Sequence, residues 1–283
     1  WIDKGISAGK NRDYNSAIYY FTQAIEINPQ DAIVYYARGF AYAELKKYQE
    51  AIANYTKAVE KNPQYAEAYY NRGCMYAELQ QYQEAIADYT KAVEKNPQYA
   101  EAYYNRGNAY AELKKHQEAI ADYTKATAIN PQCVEAYYNR GNAYANLQQY
   151  QEAIANYTKA TAINPQYAEA YFNRGFAYAE LKQYQEAIAD YTKAIEINPQ
   201  FVDTYNNRGL AYANLQQYQE AIADYTKAIE INPQDVKAYY TRGIAYGILN
   251  NKILAKQDLL KCLSLNPDVD TIKKCKELLK YCQ

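Results

Sequence analysis

The even spacing of the eight prolines constrains the fold of this chain more than any other feature. Each proline lies 34 residues after the one before it: Pro29, Pro63, Pro97, Pro131, Pro165, Pro199, Pro233 and Pro267. The surrounding sequence repeats as well, because residues 66–99 and 100–133 are identical at 25 of 34 positions. Self-similarity at this period is typical of chains that stack one small structural unit on the next.

Two helices are predicted in each repeat, and residues 66–99 illustrate them. The first half carries one stripe at helical spacing: Tyr69, Gly73, Tyr76 and Leu79. The second half carries another: Ala85, Ile86, Tyr89, Ala92 and Val93. Both stripes are amphipathic helix patterns. Asn96 precedes Pro97, where the helical conformation is disfavoured, so we predict that the second helix ends there.

A glycine recurs inside the predicted first helix: Gly39, Gly73, Gly107, Gly141, Gly175, Gly209 and Gly243. Glycine in a helix interior costs about 1 kcal/mol relative to alanine. Its recurrence predicts a close approach of the two helices, with Ala85 and Ala92 as the small residues opposite Gly73.

The motif in each repeat reads Tyr69-x2-Arg72-Gly73-x2-Tyr76, then Ala85-x3-Tyr89, then Pro97. This resembles the tetratricopeptide signature, W-x2-L-G-x2-Y, then A-x3-F, then P. The resemblance covers essentially the whole chain, although Tyr replaces Trp except at Trp1, and Arg replaces Leu. It implies an all-α tetratricopeptide-type α-solenoid, a right-handed superhelix of helix-turn-helix repeats.

The phase of the prolines predicts eight repeats in residues 1–269. The first lacks its first three residues, and the boundaries are 1–31, 32–65, 66–99, 100–133, 134–167, 168–201, 202–235 and 236–269. Residues 270–283 remain, and they continue an apolar stripe: Val269, Ile272, Cys275, Leu278, Leu279 and Cys282. Because terminal units must shield the end of a stack from water, we predict a C-terminal capping helix. No such cap precedes Trp1, so we expect the native chain to extend upstream.

Charge and cysteine content narrow the function. The net charge is −1 and no basic block is present, which argues against nucleic-acid or anionic-membrane partners. The five cysteines are unpatterned, so we expect reduced thiols and a cytoplasmic location. The sequence contains no transmembrane-length apolar run. It also lacks a phosphate loop, a metal-ligand cluster and a nucleophile elbow, so we expect no enzymatic activity and no cofactor.

The face of each first helix that points away from the second helix is the predicted binding surface. In tetratricopeptide arrays this face lines the concave groove, an assignment that comes from the resemblance. An amide column runs along it: Asn71, Asn105, Asn139, Asn173 and Asn207. A carboxamide offers a donor and an acceptor to an extended peptide backbone. The column is similar to the asparagine ladder in the tetratricopeptide superhelix of O-GlcNAc transferase. The alternative is that each Asn ties its helix to the neighbouring repeat.

Three further columns share this face. The aromatic column contains Tyr36, Tyr70, Tyr104, Tyr138, Phe172 and Tyr240, and is broken by Asn206. We include Tyr70, Tyr104, Tyr138 and Phe172 in the predicted peptide site, although such rings also serve as spacers between repeats. The variable column contains Phe40, Cys74, Asn108, Asn142, Phe176, Leu210 and Ile244, of which Asn108 and Asn142 are assigned to the site. The acidic column contains Glu67, Glu101, Glu135, Glu169 and Asp203, which favours neutral or basic ligands.

An arginine column lies on the opposite face of the first helix. Sixteen residues after each arginine, the second helix carries Asp or Asn, as in Arg72 and Asp88. A cation facing another helix needs a partner. We therefore predict ion pairs within repeats: Arg72–Asp88, Arg106–Asp122, Arg174–Asp190, Arg208–Asp224 and Arg242–Asp258.

Two functions fit these patterns. The first is a non-catalytic scaffold that binds an extended peptide or partner protein in its groove. The second is a structural protein that self-associates through its open end. The resemblance also raises the two-carboxylate clamp of co-chaperones that hold Hsp70 and Hsp90 C-termini. Asn108 and Asn139 match its asparagines, but Tyr104, Glu169 and Asn173 stand where it requires cations, so we expect no such clamp.

Overall fold

The computed structural model describes residues 1–282, which form 17 α-helices and no strand. The all-α prediction is confirmed. The described residues fall into two compact units that divide between Leu147 and Gln148. The helices of unit 1 are α1 (Ile2–Lys10), α2 (Tyr14–Ile27), α3 (Ala32–Glu44), α4 (Tyr48–Lys61), α5 (Ala66–Glu78), α6 (Tyr82–Lys95), α7 (Ala100–Glu112), α8 (His116–Ile129) and α9 (Val134–Asn146). Those of unit 2 are α10 (Tyr150–Ile163), α11 (Ala168–Glu180), α12 (Tyr184–Ile197), α13 (Val202–Asn214), α14 (Tyr218–Ile231), α15 (Val236–Ile248), α16 (Lys252–Ser264) and α17 (Val269–Tyr281).

Within each unit, helices pack mainly against their neighbours in the chain. The helix pairs α3/α4, α5/α6 and α7/α8 of unit 1 are hairpins, as are α11/α12, α13/α14 and α15/α16 of unit 2. Each hairpin also packs on the next, as α6 does on α7. This nearest-neighbour packing is that of a helical repeat array. The right-handed superhelix implied by the resemblance stays a prediction. Among the described residues, no helix is both long and apolar enough to span a bilayer.

Short turns join the helices of a hairpin, and asparagines end the second helix. Gln80, in the turn between α5 and α6, has left-handed backbone with φ of 58°. The N–H of Gln81 returns to the carbonyl of Tyr76 at 2.8 Å and closes this turn. After α6, Asn96 is extended, and its Oδ1 accepts from the Gln98 N–H at 3.1 Å. The predicted helix end before Pro97 is confirmed.

The repeated glycine admits a tyrosine ring from the partner helix. A Cβ added at Gly73 would lie 2.8 Å from Cε1 of Tyr89, which is 2% exposed. The carbonyl oxygen of Ala85 would lie 3.3 Å from it. The predicted close approach is therefore correct. The atoms nearest to Gly73 belong to the ring of Tyr89 and to Ala85, and the placement of Ala92 opposite Gly73 stays a prediction.

The five predicted ion pairs are confirmed, and each guanidinium also reaches the preceding hairpin. Arg72 donates from Nε and Nη2 to the two oxygens of Asp88, both at 2.7 Å. Its Nη1 donates to Oγ1 of Thr56 on α4 at 2.9 Å. The side chains of Arg72 and Asp88 are only 15% and 7% exposed. The arginine thus closes its own hairpin and fastens it to the one before.

Helix α17 occupies the segment predicted as the C-terminal cap. Cys275 is fully buried against Cys262 and Leu259 of α16. Val269 is 84% exposed, so its inclusion in the apolar stripe is wrong. The stripe begins one turn later because Val269 is the first residue of the helix. The last residue of the predicted cap, Gln283, lies outside the described residues, and the capping role stays a prediction.

Candidate functional site

The predicted amide column lies on the first helices of the hairpins, where its side chains are half-buried. In unit 1, each Asn Nδ2 donates to a tyrosine hydroxyl of the preceding hairpin. The bonds are Asn71 to Tyr36 at 2.8 Å, Asn105 to Tyr70 at 2.9 Å and Asn139 to Tyr104 at 3.1 Å. Burial raises the pKa of Tyr36, and the bond from Asn71 partly offsets this rise. The asparagines therefore do connect adjacent repeats, as the alternative interpretation held.

This connection leaves part of each carboxamide for other partners. Within residues 1–282, Oδ1 of Asn71, Asn105 and Asn139 accepts no hydrogen bond. A carboxamide has two N–H donors and one oxygen acceptor. Asn71 uses one donor on Tyr36, so its oxygen and second N–H remain. In each unit, we call the surface that carries these asparagines the Asn face: Asn71, Asn105 and Asn139 in unit 1, and Asn173 and Asn207 in unit 2.

The aromatic column packs between hairpins. The Tyr70 ring lies 5.9 Å from that of Tyr89 and 4.8 Å from that of Tyr99. Phe172 lies equivalently between Tyr191 and Phe201 in unit 2, at 5.9 and 4.8 Å. These rings are half-buried, which is the spacer arrangement. Their role toward a ligand stays a prediction.

The structure brings three of the predicted residues of unit 1 together. Asn108 Oδ1 accepts from Nδ2 of Asn139 at 3.0 Å and from the hydroxyl of Tyr123 at 2.7 Å. The same Nδ2 also donates to Tyr104, so Asn139 uses its amino group twice. Of the other predicted residues, Tyr138 and Asn142 lie half-buried on α9, and Asn173 lies half-buried on α11.

Unit 2 breaks this pattern in two ways. Asn206 replaces the aromatic residue, and Thr241, 35 residues later, replaces the asparagine of the amide column. Thr241 Oγ1 donates to the Lys237 carbonyl at 2.8 Å. Asn206 is 1% exposed and donates to Asp235 at 2.6 Å. Asn207 keeps its place in the column although Phe172 has no hydroxyl to offer. The bond from Lys237 to Oδ1 of Asn207, at 3.2 Å, does not engage Nδ2.

Each unit has a cleft on its Asn face, at the point where one hairpin meets the first helix of the next. The polar cleft of unit 1 has a volume of about 450 Å³ and is lined by Asn108, Asn139, Asn142 and Asn146. The apolar cleft of unit 2 has a volume of about 180 Å³ and is lined by Phe176, Asn207, Leu210 and Asn214. Each of these four lies two 34-residue repeats after its counterpart in the polar cleft. The variable column therefore sets the chemistry of each cleft.

Sequence reasoning left Phe176 and Leu210 outside the predicted site, although it placed them in the variable column. Their side chains are 41% and 45% exposed, which is high for large apolar residues. The replacement of polar residues by apolar ones on an exposed face was the sequence signal that could have assigned them to the site. The acidic column is also exposed, and includes Glu67, Glu101, Glu135, Glu169 and Asp203. Among the described residues, no group of three or more His, Cys, Asp or Glu side chains is suited to hold a metal ion.

Comparison with protein families identifies the repeat. Tetratricopeptide repeat models match residues 2–66, 54–87, 100–133, 122–155, 168–201, 202–235 and 224–257. A further model, described as TPR repeat, matches 73–114 and 141–182. The chain belongs to the tetratricopeptide repeat family. Among curated proteins, the sequence comparison finds no match.

Solved tetratricopeptide structures share the fold. YrrB, described as a TPR protein with an unusual peptide-binding site, is 28% identical, with a TM-score of 0.61 over 66% of this chain and 97% of YrrB. MamA is 29% identical, with a TM-score of 0.58 over 61% of this chain and 94% of MamA. A tetratricopeptide repeat protein from Parabacteroides merdae has a TM-score of 0.60 over 89% of this chain and 98% of its own. At 24% identity it shows the fold alone.

Proposed function

We propose that this protein is a non-catalytic interaction scaffold that holds an extended segment of a partner protein along its Asn face. The carboxamides of Asn71, Asn105 and Asn139 carry this proposal, because each keeps an Oδ1 acceptor that no described residue engages. Their regular spacing matches a ligand gripped through its backbone, whose peptide units offer a donor at regular intervals. The peptide-binding site of YrrB supports the same use of the fold.

The expected affinity is moderate. Each hydrogen bond to the ligand contributes about 0.5–1.5 kcal/mol net, and ordering an extended peptide costs several kcal/mol. A few such bonds therefore give dissociation constants nearer micromolar than nanomolar. Exposed carboxylates such as Glu67, Glu101 and Glu135 flank the face, so neutral or basic segments are preferred over acidic ones. Binding of basic segments weakens as salt rises, because exposed charges are screened.

The test must separate binding from array stability, because the asparagines also connect hairpins. Peptides are selected from a random phage-displayed library on the wild-type chain, then synthesised and titrated by calorimetry. The variant N71A/N105A/N139A removes both the inter-repeat bond and the ligand contact. The matched control Y36F/Y70F/Y104F removes only the hydroxyl acceptors of these inter-repeat bonds and keeps the aromatic rings of the predicted peptide site. We expect the asparagine variant to weaken binding at least tenfold and the tyrosine variant to leave it within about twofold.

Equal weakening by both variants, with circular dichroism unchanged, would show that the column is structural and the ligand binds elsewhere. Light scattering on the same samples tests the alternative of a self-assembling structural protein. A mass that rises with concentration in the absence of peptide would support self-association. A monomer that binds selected peptides supports the scaffold.

A further inference from the structure

The apolar cleft of unit 2 differs from the polar cleft of unit 1 in what surrounds its asparagine. In the polar cleft, Nδ2 of Asn139 has two acceptors, the hydroxyl of Tyr104 and Oδ1 of Asn108. The residues at the corresponding positions before Asn207 are Phe172 and Phe176. Both acceptors are therefore replaced by hydrocarbon rings, and within residues 1–282 Nδ2 of Asn207 donates no hydrogen bond.

The same substitutions make the walls of the cleft apolar. Phe176 replaces Asn108, and Leu210 replaces Asn142. Both side chains are more than two-fifths exposed, at 41% and 45%, although exposing large apolar groups to water is unfavourable. The apolar cleft is also smaller, with a volume of about 180 Å³ against about 450 Å³ for the polar cleft. An unengaged donor thus lies beside two exposed apolar walls.

The charges around the cleft indicate which kind of side chain its occupant carries next to the apolar one. Glu180 lines the cleft and is exposed, and the hydroxyl of Tyr150 reaches it only at 3.5 Å. Glu169 and Asp203 are exposed on the same helices, α11 and α13. No lysine or arginine is among the described residues that line the cleft, and Lys237 donates to Oδ1 of Asn207 at 3.2 Å. These exposed carboxylates therefore favour a ligand that carries a cationic side chain close to its apolar one.

We propose that this cleft is an anchor site for an extended segment that carries an aliphatic residue next to a basic one. The aliphatic side chain lies between Phe176 and Leu210, and its backbone carbonyl accepts from Nδ2 of Asn207. The basic side chain pairs with Glu180. This inference rests on the proposed scaffold function and names the residue type that the scaffold selects. A few residues in well-packed, desolvated pockets carry most of the binding energy of many interfaces.

The substitutions for the matched variants are residues that this chain already carries at equivalent positions of other repeats. F176N/L210N gives the apolar cleft the residues of the polar cleft. N207A introduces the alanine that occurs at the equivalent position of the α3/α4 hairpin, Ala37. F172Y restores one acceptor, a tyrosine hydroxyl, to Asn207 and keeps Phe176 in place. Because each residue already occurs at the equivalent position elsewhere in the array, these variants should fold, which circular dichroism and thermal melting verify.

The probe is a peptide selected from a random phage-displayed library on the wild-type chain, together with the same peptide in which the aliphatic residue is changed to Asn. We expect selected peptides to share an aliphatic residue beside Lys or Arg. F176N/L210N should weaken the aliphatic peptide about tenfold or more and change the Asn peptide little. N207A and F172Y should weaken both peptides by a similar factor of several-fold, because they act on the backbone contact and leave the walls of the cleft unchanged.

The outcomes separate this inference from the function on which it rests. If the wild type selects no peptide, the scaffold proposal itself fails. If it selects peptides without a shared aliphatic position, the anchor site is wrong and the scaffold stands. The anchor site is equally wrong if F176N/L210N weakens the aliphatic and Asn peptides by the same factor.

Discussion

Arg72 and Asp88 meet side by side, with Nε and Nη2 of the guanidinium each 2.7 Å from a carboxylate oxygen. The first hairpin of this type uses a neutral partner instead, because Arg38 donates from Nε to Oδ1 of Asn54 at 2.7 Å. The array therefore tolerates a carboxamide where it usually has a carboxylate. Every arginine of the column has an Asp or Asn sixteen residues later in the sequence, and none has an apolar residue there.

Asp88→Ala should be far more damaging than Asp88→Asn. The alanine leaves the largely buried charge of Arg72 without its main partner, which costs about 3 kcal/mol. The asparagine reproduces the Arg38–Asn54 contact and should cost less than half as much. Urea unfolding followed by circular dichroism measures both. Equal losses would mean that the charge of Asp88, and not its hydrogen bonds, holds the hairpin.

The bond between Tyr70 and Asn105 should contribute about 0.5–1.5 kcal/mol to array stability. Tyr70→Phe and Asn105→Ala should each lower stability by that amount, and the double variant should lose less than their sum. Phe172→Tyr is the converse test, because it supplies a hydroxyl to Asn207 and should stabilise the chain by a similar amount. Thermal melting of the four variants checks this. Strict additivity of the first two would contradict a direct bond.

Gly73→Ala should destabilise the chain although alanine is the better helix former. The added Cβ would lie 2.8–2.9 Å from the ring of Tyr89, which is too buried to move aside. Overpacking of this kind costs about 1–3 kcal/mol, against about 1 kcal/mol gained in helix propensity. Gly9→Ala is the control, since nothing lies within 4 Å of its added Cβ. It should raise the melting temperature slightly, and a fall for both variants would point to backbone effects.

The chain should unfold cooperatively in alkali, driven by its buried tyrosines. Burial raises the pKa of Tyr225 to about 12, and that of Tyr65 also to about 12. The unfolded value is about 10. A raised folded pKa means that stability is complete below about pH 10 and falls as pH rises toward 12. For Tyr225, which is 1% exposed, the loss amounts to about 2–3 kcal/mol once pH exceeds 12.

Tyrosinate absorbance and far-ultraviolet circular dichroism, recorded together, check the alkaline transition. The two signals should change together above about pH 10, and Tyr225→Phe should move the transition to higher pH. Ionisation of the buried tyrosines without loss of helix would overturn the expectation.

Relationships inside one hairpin were predictable from the sequence. The sixteen-residue spacing places Arg72 and Asp88 on facing helices, and a buried cation leaves few choices of partner. The helix end at Asn96 follows from the restriction that Pro97 imposes. These features depend on local backbone geometry and on one strong electrostatic requirement.

Relationships between hairpins were harder to predict. A neutral amide such as Asn105 has several possible partners, and which hydroxyl it reaches depends on the stacking of neighbouring hairpins. The clue in the sequence was the joint loss of tyrosine and asparagine at Asn206 and Thr241. The pattern predicts small residues opposite Gly73, whereas the closest atoms are those of the Tyr89 ring, whose orientation the residue pattern does not specify.

The side-chain bonds described for each unit reach no further than the adjacent hairpin: Arg72 to Thr56 on one side, and Tyr70 to Asn105 on the other. A tandem duplication of 34 residues therefore carries both halves of every bond with it. The length of such an array can change by copying alone, without evolving a new interface. Divergence of single residues such as Phe176 can then follow, so that duplicated clefts acquire different ligands while the stack that supports them stays the same.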